Sequence, residues 1–599
     1  MTQISPVAIL RNGLRILAPL SVALTVYLYL YPIFQTCAFP LPLADGVDTG
    51  LGAFLETAAL HSPFAVPAPL RGGHDNAKSN GNRPLAPFRL LALGDPQLEG
   101  DTSIPNARGQ SFPHLWTLFS HLTFQSDHRS LRERVRQSLH DSVDFYLEDI
   151  PNTLESIRKR IDLFGNDFYL AHIYRTVRWW ARPTHVSVLG DLVGSQWLDD
   201  AEFDRRSERF WARVFRGGER VPDDVARAPA DDYDLAGLLG GGDDDDEAAA
   251  WERRIVNVAG NHDIGYAGDI NEERLGRFER AFGKANYELR FELPLVAAAG
   301  DNDNASTATT AAGTTGADAD SHRLTPELRV VVLNDMNLDT PALSSELQDA
   351  TYRFVNAIIN TASAVEYTGH FTVVLTHVPL HKPAGVCADE PHFAFHDHDG
   401  TLREQNQLSA DASRGFLEGI YGMSGNPGAP AGGRGRPGVI LNGHDHEGCD
   451  TWHFVNQSSS ERAWEARAWR AAAGDGGIVG REGHPGIREI TVRSMMGDFG
   501  GNAGLLSVWF DRETWQWRFE YATCLLGTQH LWWIVHILDL VVVVAALAYG
   551  VIAVLSAVGV DVEKRVLVDL KAARDQGLNK GTKVVMNGEE KKARVPAVS

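Results

Sequence analysis

Residues 438–446 read GVILNGHDH, an apolar run that stops at a glycine and then presents two histidines around an aspartate. Four other segments share the design: FRLLAL ahead of Gly94-Asp95-Pro96-Gln97, THVSVL ahead of Gly190-Asp191, RRIVNVA ahead of Gly260-Asn261-His262-Asp263, and FTVVL ahead of Thr376-His377. Short runs rich in Val, Ile and Leu that end in turn residues predict buried strands. In a layered α/β domain strand ends converge on one edge, where residues distant in sequence meet. Asp, Asn and His placed there supply the hard oxygen and imidazole ligands that suit two divalent cations. Two-metal sites of that composition hydrolyse phosphate esters.

In this order and with these spacings the segments resemble the calcineurin-like metallophosphoesterase superfamily, from about Arg89 to about Val508. A single GNHD or GHDH would be weak; five in order, each on an expected strand end, are specific. The neighbouring words GDPQLEG, DLFGNDFYLAHIYRT, LTHVPLHKPAG, LNGHDHEGCD and SMMGDFGG resemble a membrane-anchored eukaryotic branch, the fungal members above all. Enzymes of that branch act on ethanolamine-phosphate side groups of glycosylphosphatidylinositol (GPI) anchors in the endoplasmic reticulum.

The resemblance implies an α/β fold, a four-layer α/β/β/α sandwich, carrying two divalent ions with Mn²⁺ foremost. Asp95 and Gln97 would hold the first ion, Asp191 would bridge both, Asn261, His377 and His444 would complete the second, and His446 would return to the first. His262 would act as general acid toward the leaving alkoxide, with Asp263 holding its imidazole in the right tautomer. Gln97 departs from the pattern, since many relatives have histidine there. An amide oxygen favours Mn²⁺ or Mg²⁺ over zinc and weakens the first site. The aromatics of the segment holding Asp167, Tyr169 and Tyr174 read first as core or membrane-facing packing, and the resemblance makes these three residues the alternative candidates for lining the substrate pocket. His381 reads as a solvated loop histidine, with a contact to substrate or metal-bound water as the alternative, and Asn334-Asp335 as a turn or cap after a core strand, with a substrate contact as the lesser reading. His370, Asp445 and Asp450 receive no role. Singly, each Asp or His is more often an ordinary buried polar residue; seven in the expected order leave that reading little room.

The chain has 599 residues, enough for one large domain with inserts or for two domains, and a formal net charge of −21. That acidity argues against a nucleic-acid partner, for which a basic footprint is expected. Its four cysteines, Cys37, Cys387, Cys449 and Cys524, form no CxxC pair, which argues against structural zinc. Cys387 and Cys449 follow the His377 and His446 loops, and the choice between a disulfide and two free thiols stays open.

Two stretches, 16–34 and 538–560, are long and apolar enough to cross a bilayer, which takes about 20 residues. Arg11 and Arg15 precede the first; Lys564, Arg565, Lys571 and Arg574 follow the second. Positive charge on those flanks predicts cytosolic termini and a lumenal interior. A cleaved signal peptide is the alternative for the first stretch, and its length favours an anchor. Asp539 reads as interfacial. The organisation is therefore a cytosolic start (1–15), a span (16–34), a lumenal linker (35–87), the metallophosphoesterase domain (88–525), a second span (538–560) and a cytosolic tail (561–599). Residues 128–182 show helical periodicity. Three inserts, 221–250, 297–321 and 425–438, are too poor in apolar residues to form a core and are expected as disordered surface loops. Sequons at Asn304 and Asn456 suit the lumenal side.

The expected activity is a lumenal phosphodiesterase of the endoplasmic reticulum membrane, possessing GPI glycolipid or GPI-anchored proteins as partners. A hydrolase for another phosphoester and a non-catalytic sorting factor for GPI cargo are the alternatives.

Overall fold

The five apolar runs are strands: Phe88–Leu93, His185–Val188, Arg254–Asn257, His370–Leu375 and Gly438–Asn442. The computed structural model describes residues 6–42, 50–61, 85–105, 109, 111–126, 130–229, 235–240, 246–294, 324–474 and 476–560. The first three strands lie parallel to one another in a six-stranded sheet, the last two parallel in an eight-stranded one. Antiparallel strands Asn502–Asp511 and Gln516–Leu525 extend the first sheet beyond Phe88–Leu93. The second is extended on one side by Gly486–Thr491, Cys449–Val455 and Trp464–Ala468.

One apolar core joins the sheets: Phe88, Leu90 and Ala92 of the first cluster with Val373, Leu375 and Val439 of the second. Alternation along each strand explains this, since every second side chain points to the same face. Parallel strands buried on both faces are largely apolar; all five are largely buried, and of their polar members His185, Ser187, Asn257, His370, Thr372 and Asn442 are covered as well. Their carboxyl ends therefore share one edge, where the polar residues of each motif begin.

The periodic region is helical, as Leu131–Asp144 and Ile150–Ala181 joined by a π-turn at Phe145–Asp149, with Pro113–Leu122 before it. Two inserts are more ordered than expected. Residues 221–250 contribute an edge strand, Gly237–Leu238, and most of the helix Asp246–Trp251; the indole of Trp251 anchors them by donating to the Ala236 carbonyl at 3.0 Å. Residues 425–438 are held by the Gln457 amide, which donates to the carbonyls of Ser424 and Gly432 at 2.9 and 2.8 Å. Low apolar content did not release these loops because neighbours satisfy their carbonyls. The linker is also partly structured, with a helix at Leu51–Ala59 and the Trp180 indole bonded to the Cys37 carbonyl at 2.6 Å. The 297–321 insert, the Asn304 sequon and the 561–599 tail fall outside the described residues.

Both possible disulfides are formed, Cys37–Cys524 and Cys387–Cys449. The chain divides into a unit Tyr31–Gln529 and a unit of Met1–Leu30 with His530–Ser599. The second contains two helices long and apolar enough to cross a bilayer, Val7–Tyr29 and Gln529–Ala557, which mark a membrane protein. The first helix starts at Pro6, earlier than the expected span, and ends at Tyr29 before a separate turn, Tyr31–Phe34. Asp539 accepts hydrogen bonds from Ser21 and Thr25 of the other helix, at 2.5 and 2.9 Å, so its carboxylate is satisfied by hydroxyls in place of water.

Candidate metal centre

The turn after each strand aims its polar side chains into one cleft. Asp95, Gln97, Asp191 and His444 all have positive φ, between 41° and 73°. A non-glycine residue there costs on the order of 1–3 kcal/mol, sustained only where the surroundings over-determine it. Two glycines give the room: a Cβ on Gly190 (φ 93°) would collide with the His377 imidazole, and one on Gly260 with Asp191.

Two groups of ligand atoms result, each within 4.8 Å: Asp191, His377 and His444, and Asp95, Asp191 and His446. Asp191 belongs to both. Asn261 joins the first group, its Oδ1 lying 3.0 Å from His377 Nε2 and 3.0 Å from His444 Nδ1. Gln97 joins the second through its Nε2, 3.0 Å from Asp191 Oδ2 and 3.1 Å from His446 Nε2. All seven expected ligands thus meet in one place.

The donor set fits divalent cations. His377 Nδ1 donates to the Leu189 carbonyl at 2.8 Å, and His444 Nε2 to the Gln405 carbonyl at 3.0 Å. Those bonds fix the tautomers, so in the neutral rings His377 Nε2 and His444 Nδ1 turn lone pairs toward Asn261 Oδ1, itself an acceptor. Three acceptors facing one another suit a cation between them; without one, a proton on His377 Nε2 takes that place. Asp95 Oδ2 is buried with no hydrogen-bond partner among the described residues. Burial, partly offset by His377, pushes Asp95 up to about 8. Burial alone would also raise Asp191, but His262 and His377 hold it well below the usual carboxylate range. Burial opposes a charge on His377, yet Asp191 brings it up to about 10, while burial drives His444 down to about 3. The cleft is a desolvated, electron-rich cage that a dication relieves.

His262 sits at the rim with its side chain 36% exposed, its backbone N–H donating to Asp191 Oδ1 at 2.9 Å and its Nε2 3.7 Å from Asp191 Oδ2. Asp263 does not hold the His262 imidazole. Its carboxylate accepts from the backbone N–H groups of Gly260, at 2.9 Å, and Val193, at 3.0 Å. It closes the turn Asn261–Ile264 and sets where His262 stands. Adjacency in sequence was misleading because the turn sends the two side chains apart.

Asp167, Tyr169 and Tyr174 do not line the cleft. Asp167 is buried in ion pairs with Arg209 (2.6 Å) and Arg213 (3.0 Å), Tyr169 donates to the Gly527 carbonyl, and Tyr174 packs on Phe215. His381 is half-buried, its backbone N–H bonded to Ser413 Oγ at 2.8 Å. Asn334-Asp335 end the strand in a turn, the short helix Asp335–Leu338, with no side-chain cap; Asp335 instead accepts from Val378 N–H at 3.2 Å and thereby steadies the His377 loop. Asp450 pairs with Arg488 at 2.7 Å, His370 lies 3.2 Å from Glu327, and Asp445 accepts from Glu447 N–H at 3.1 Å.

Sequence reasoning missed Glu489. Its Oε1 accepts from Leu380 N–H at 2.7 Å and from the Asn442 amide at 2.6 Å; its Oε2 takes Lys382 at 2.7 Å and His453 at 2.7 Å. This buried carboxylate ties the loop after His377 to the strand that delivers His444 and His446. The only sequence signal was a glutamate at an inward position of the strand GIREIT.

No protein-family model matches the chain. It is 32% identical over 412 residues to Protein TED1 of Saccharomyces cerevisiae, covering 62% of this chain and 75% of that protein. It is 27% identical over 351 residues to an uncharacterised protein of Schizosaccharomyces pombe, covering 58% of this chain and 63% of that protein. The chain thus spans three quarters of the first relative and less than two thirds of the second.

Proposed function

The chain belongs to the family of Protein TED1, and from that kinship and the cleft we propose a membrane-held dimetal phosphodiesterase that removes ethanolamine phosphate from a mannose of the GPI glycan. That activity would support remodelling of GPI-anchored proteins and their exit from the endoplasmic reticulum. The observation that carries the hydrolase reading is Asp191, shared by two ligand groups, one of which has both histidine tautomers preset. The GPI substrate rests on the words GDPQLEG, LTHVPLHKPAG and LNGHDHEGCD. In this reading the two sheets and their helices form the four-layer sandwich of the metallophosphoesterases.

Asn261, His377 and His444 would hold one ion, Asp95, Gln97 and His446 the other, with Asp191 on both. Bound Mn²⁺ ions would supply Lewis-acid polarisation of the phosphoryl oxygens and an acidified water. The chain's own groups do the rest. His262, reachable at the rim, gives its proton to the departing mannose oxygen. Asp263 keeps it there through the turn. Gln97 would present its amide oxygen, which requires the opposite amide orientation from the one bonded to Asp191; the two orientations are sterically equivalent.

Lumenal placement draws support from the disulfides, which persist in oxidising compartments. Cys37 follows the first apolar helix and Cys524 precedes the second, so both flanks lie on one side, as cytosolic termini require.

Mass spectrometry of GPI glycans tests the function, in cells lacking the protein and complemented with wild type or His262→Ala. An extra ethanolamine phosphate that persists with the variant and disappears with wild type is the expected result. Identical glycans throughout would refute this substrate. A second reading, a non-catalytic GPI-cargo factor, has one observation in its favour: the Gln97 amide nitrogen bonds both Asp191 and His446, a donor where the first ion would sit. Rescue of GPI-protein export by the His262→Ala variant, with unchanged glycans, would favour it.

A further inference from the structure

The three helices between the first two motifs are amphipathic in the inverted sense. Leu131, Val135, Leu139 and Val143 recur once per turn of Leu131–Asp144, and all are exposed. The amino-terminal half of Ile150–Ala181 exposes Leu154, Ile157, Ile161 and Phe164, and Leu147, on the turn between these helices, is 75% exposed. The preceding helix exposes Trp116, Phe119 and Leu122. Polar groups are turned inward instead: His121 lies 3.2 Å from Asp141 and His114 Nδ1 2.8 Å from Asp149, with both aspartates buried. A water-facing helix pair buries its apolar stripe; patches of this extent mark a partner or a membrane.

Where the apolar exposure ends is informative. Beyond Phe168 most of the same long helix is buried, with Leu170, Ile173 and Val177 fully covered and Trp179 the one large apolar side chain of that half left exposed. At that boundary the Tyr169 hydroxyl donates to the Gly527 carbonyl at 2.7 Å, and the Tyr31 ring lies over Gly527. Tyr31 and Gln529 are the points at which this unit continues into the two bilayer-length helices. The exposed stripe therefore begins beside Tyr31 and Gly527, next to the two ends of this unit.

We infer that the helices from Pro113 to Phe168 form a lipid-docking surface that lies in the interface of the bilayer. Glu155, Arg158, Lys159, Arg160 and Asp162 within the last helix forbid its crossing the membrane. An interfacial helix instead dips its apolar face roughly 5–10 Å into the headgroup boundary and leaves its charges in water. The inference stands on the apolar end helices, not on the proposed activity. The two connect through Phe499, whose ring lies 4.8 Å from that of His446 on a turn packed against the long helix. The docked surface would set the metal cleft beside the membrane, so the substrate class is a phosphoester carried by a bilayer lipid.

The test uses full-length protein in phosphatidylcholine proteoliposomes. Because the four cysteines are paired in disulfides, an added cysteine is the single labelling site. Bimane at Leu139→Cys, Leu147→Cys and Phe164→Cys is compared with bimane at Leu343→Cys and Val479→Cys, exposed apolar positions outside the surface. Lipid carrying a shallow doxyl group should quench the first three labels at least twofold more than the last two. Equal quenching overturns the inference. So does chain-to-chain cross-linking through Leu139→Cys without lipid quenching, which would make the surface a seam between copies. Neither readout depends on hydrolysis, so loss of the GPI reading would leave this result intact.

Discussion

On one side of Asp191, Asn261, His377 and His444 converge with each imidazole clamped by a backbone carbonyl. On the other, His446 is partly exposed, meets the Gln97 amide and the Phe499 ring without a backbone carbonyl to clamp it among the described residues, and would share its ion with a glutamine. The first side is also tied from behind, through Glu489 to Leu380 and Asn442. Orientation fixed before metal arrives raises affinity, and orienting partners are each worth about 10–100-fold. The comparison predicts that, of the two proposed ion sites, the His377 side would hold its ion the more tightly and the Gln97 side would exchange it.

The harshest way to break the comparison is Asp191→Asn, which weakens the ligand common to both sides. Both ions should be lost, and hydrolysis of a simple phosphodiester should fall by more than about 10³-fold, since bound ions supply several kcal/mol of charge stabilisation. Elemental analysis and a rate assay read the two effects. Retention of both ions would show that Asp191 is not the bridge.

Glu489→Gln strikes the His377 side from behind. Stranding Lys382 without its carboxylate costs about 3–5 kcal/mol. Burial alone would raise Glu489, but Lys382 and His453 hold it well below its ordinary value. A depressed carboxylate stabilises the fold above its unfolded pKa, near 4.3, and that stabilisation is lost as pH falls through the folded value. Thermal unfolding should therefore show wild type above the variant at neutral pH and the gap closing in acid. A gap independent of pH would contradict the charge argument.

His262→Ala should spare both sides. Loss of a general acid lowers kcat by about 10²–10⁴-fold, and metal content should not change. If the ions leave with it, His262 is a ligand and not an acid. The mildest test is Gln97→His, which evens out the two sides. It should tighten the weaker ion by roughly tenfold, in favour of zinc, as metal titration would show.

The strand ends were legible because each apolar run stops where its ligands begin, and seven residues found this way do share the cleft. What stayed hidden depended on direction, not identity. Asp263 stands beside His262 in sequence, but a tight turn gives its oxygens to Gly260 and Val193. Glu489 lies mid-strand and reaches its partners only through sheet register. The helical periodicity of residues 128–182 was visible, yet a period of 3.6 states that an apolar face exists and not whether protein or lipid covers it. Asp167 looked like a pocket residue by resemblance and is instead a buried counter-ion for Arg209 and Arg213.

The most direct measurement of the central claim is the metal stoichiometry of purified full-length protein, beside His377→Ala and His446→Ala. About two ions per chain are expected in wild type, with His377→Ala losing the tightly held ion and His446→Ala the exchangeable one. Wild-type protein that binds no divalent ion under saturating Mn²⁺ would contradict the dimetal centre and with it the proposed hydrolysis.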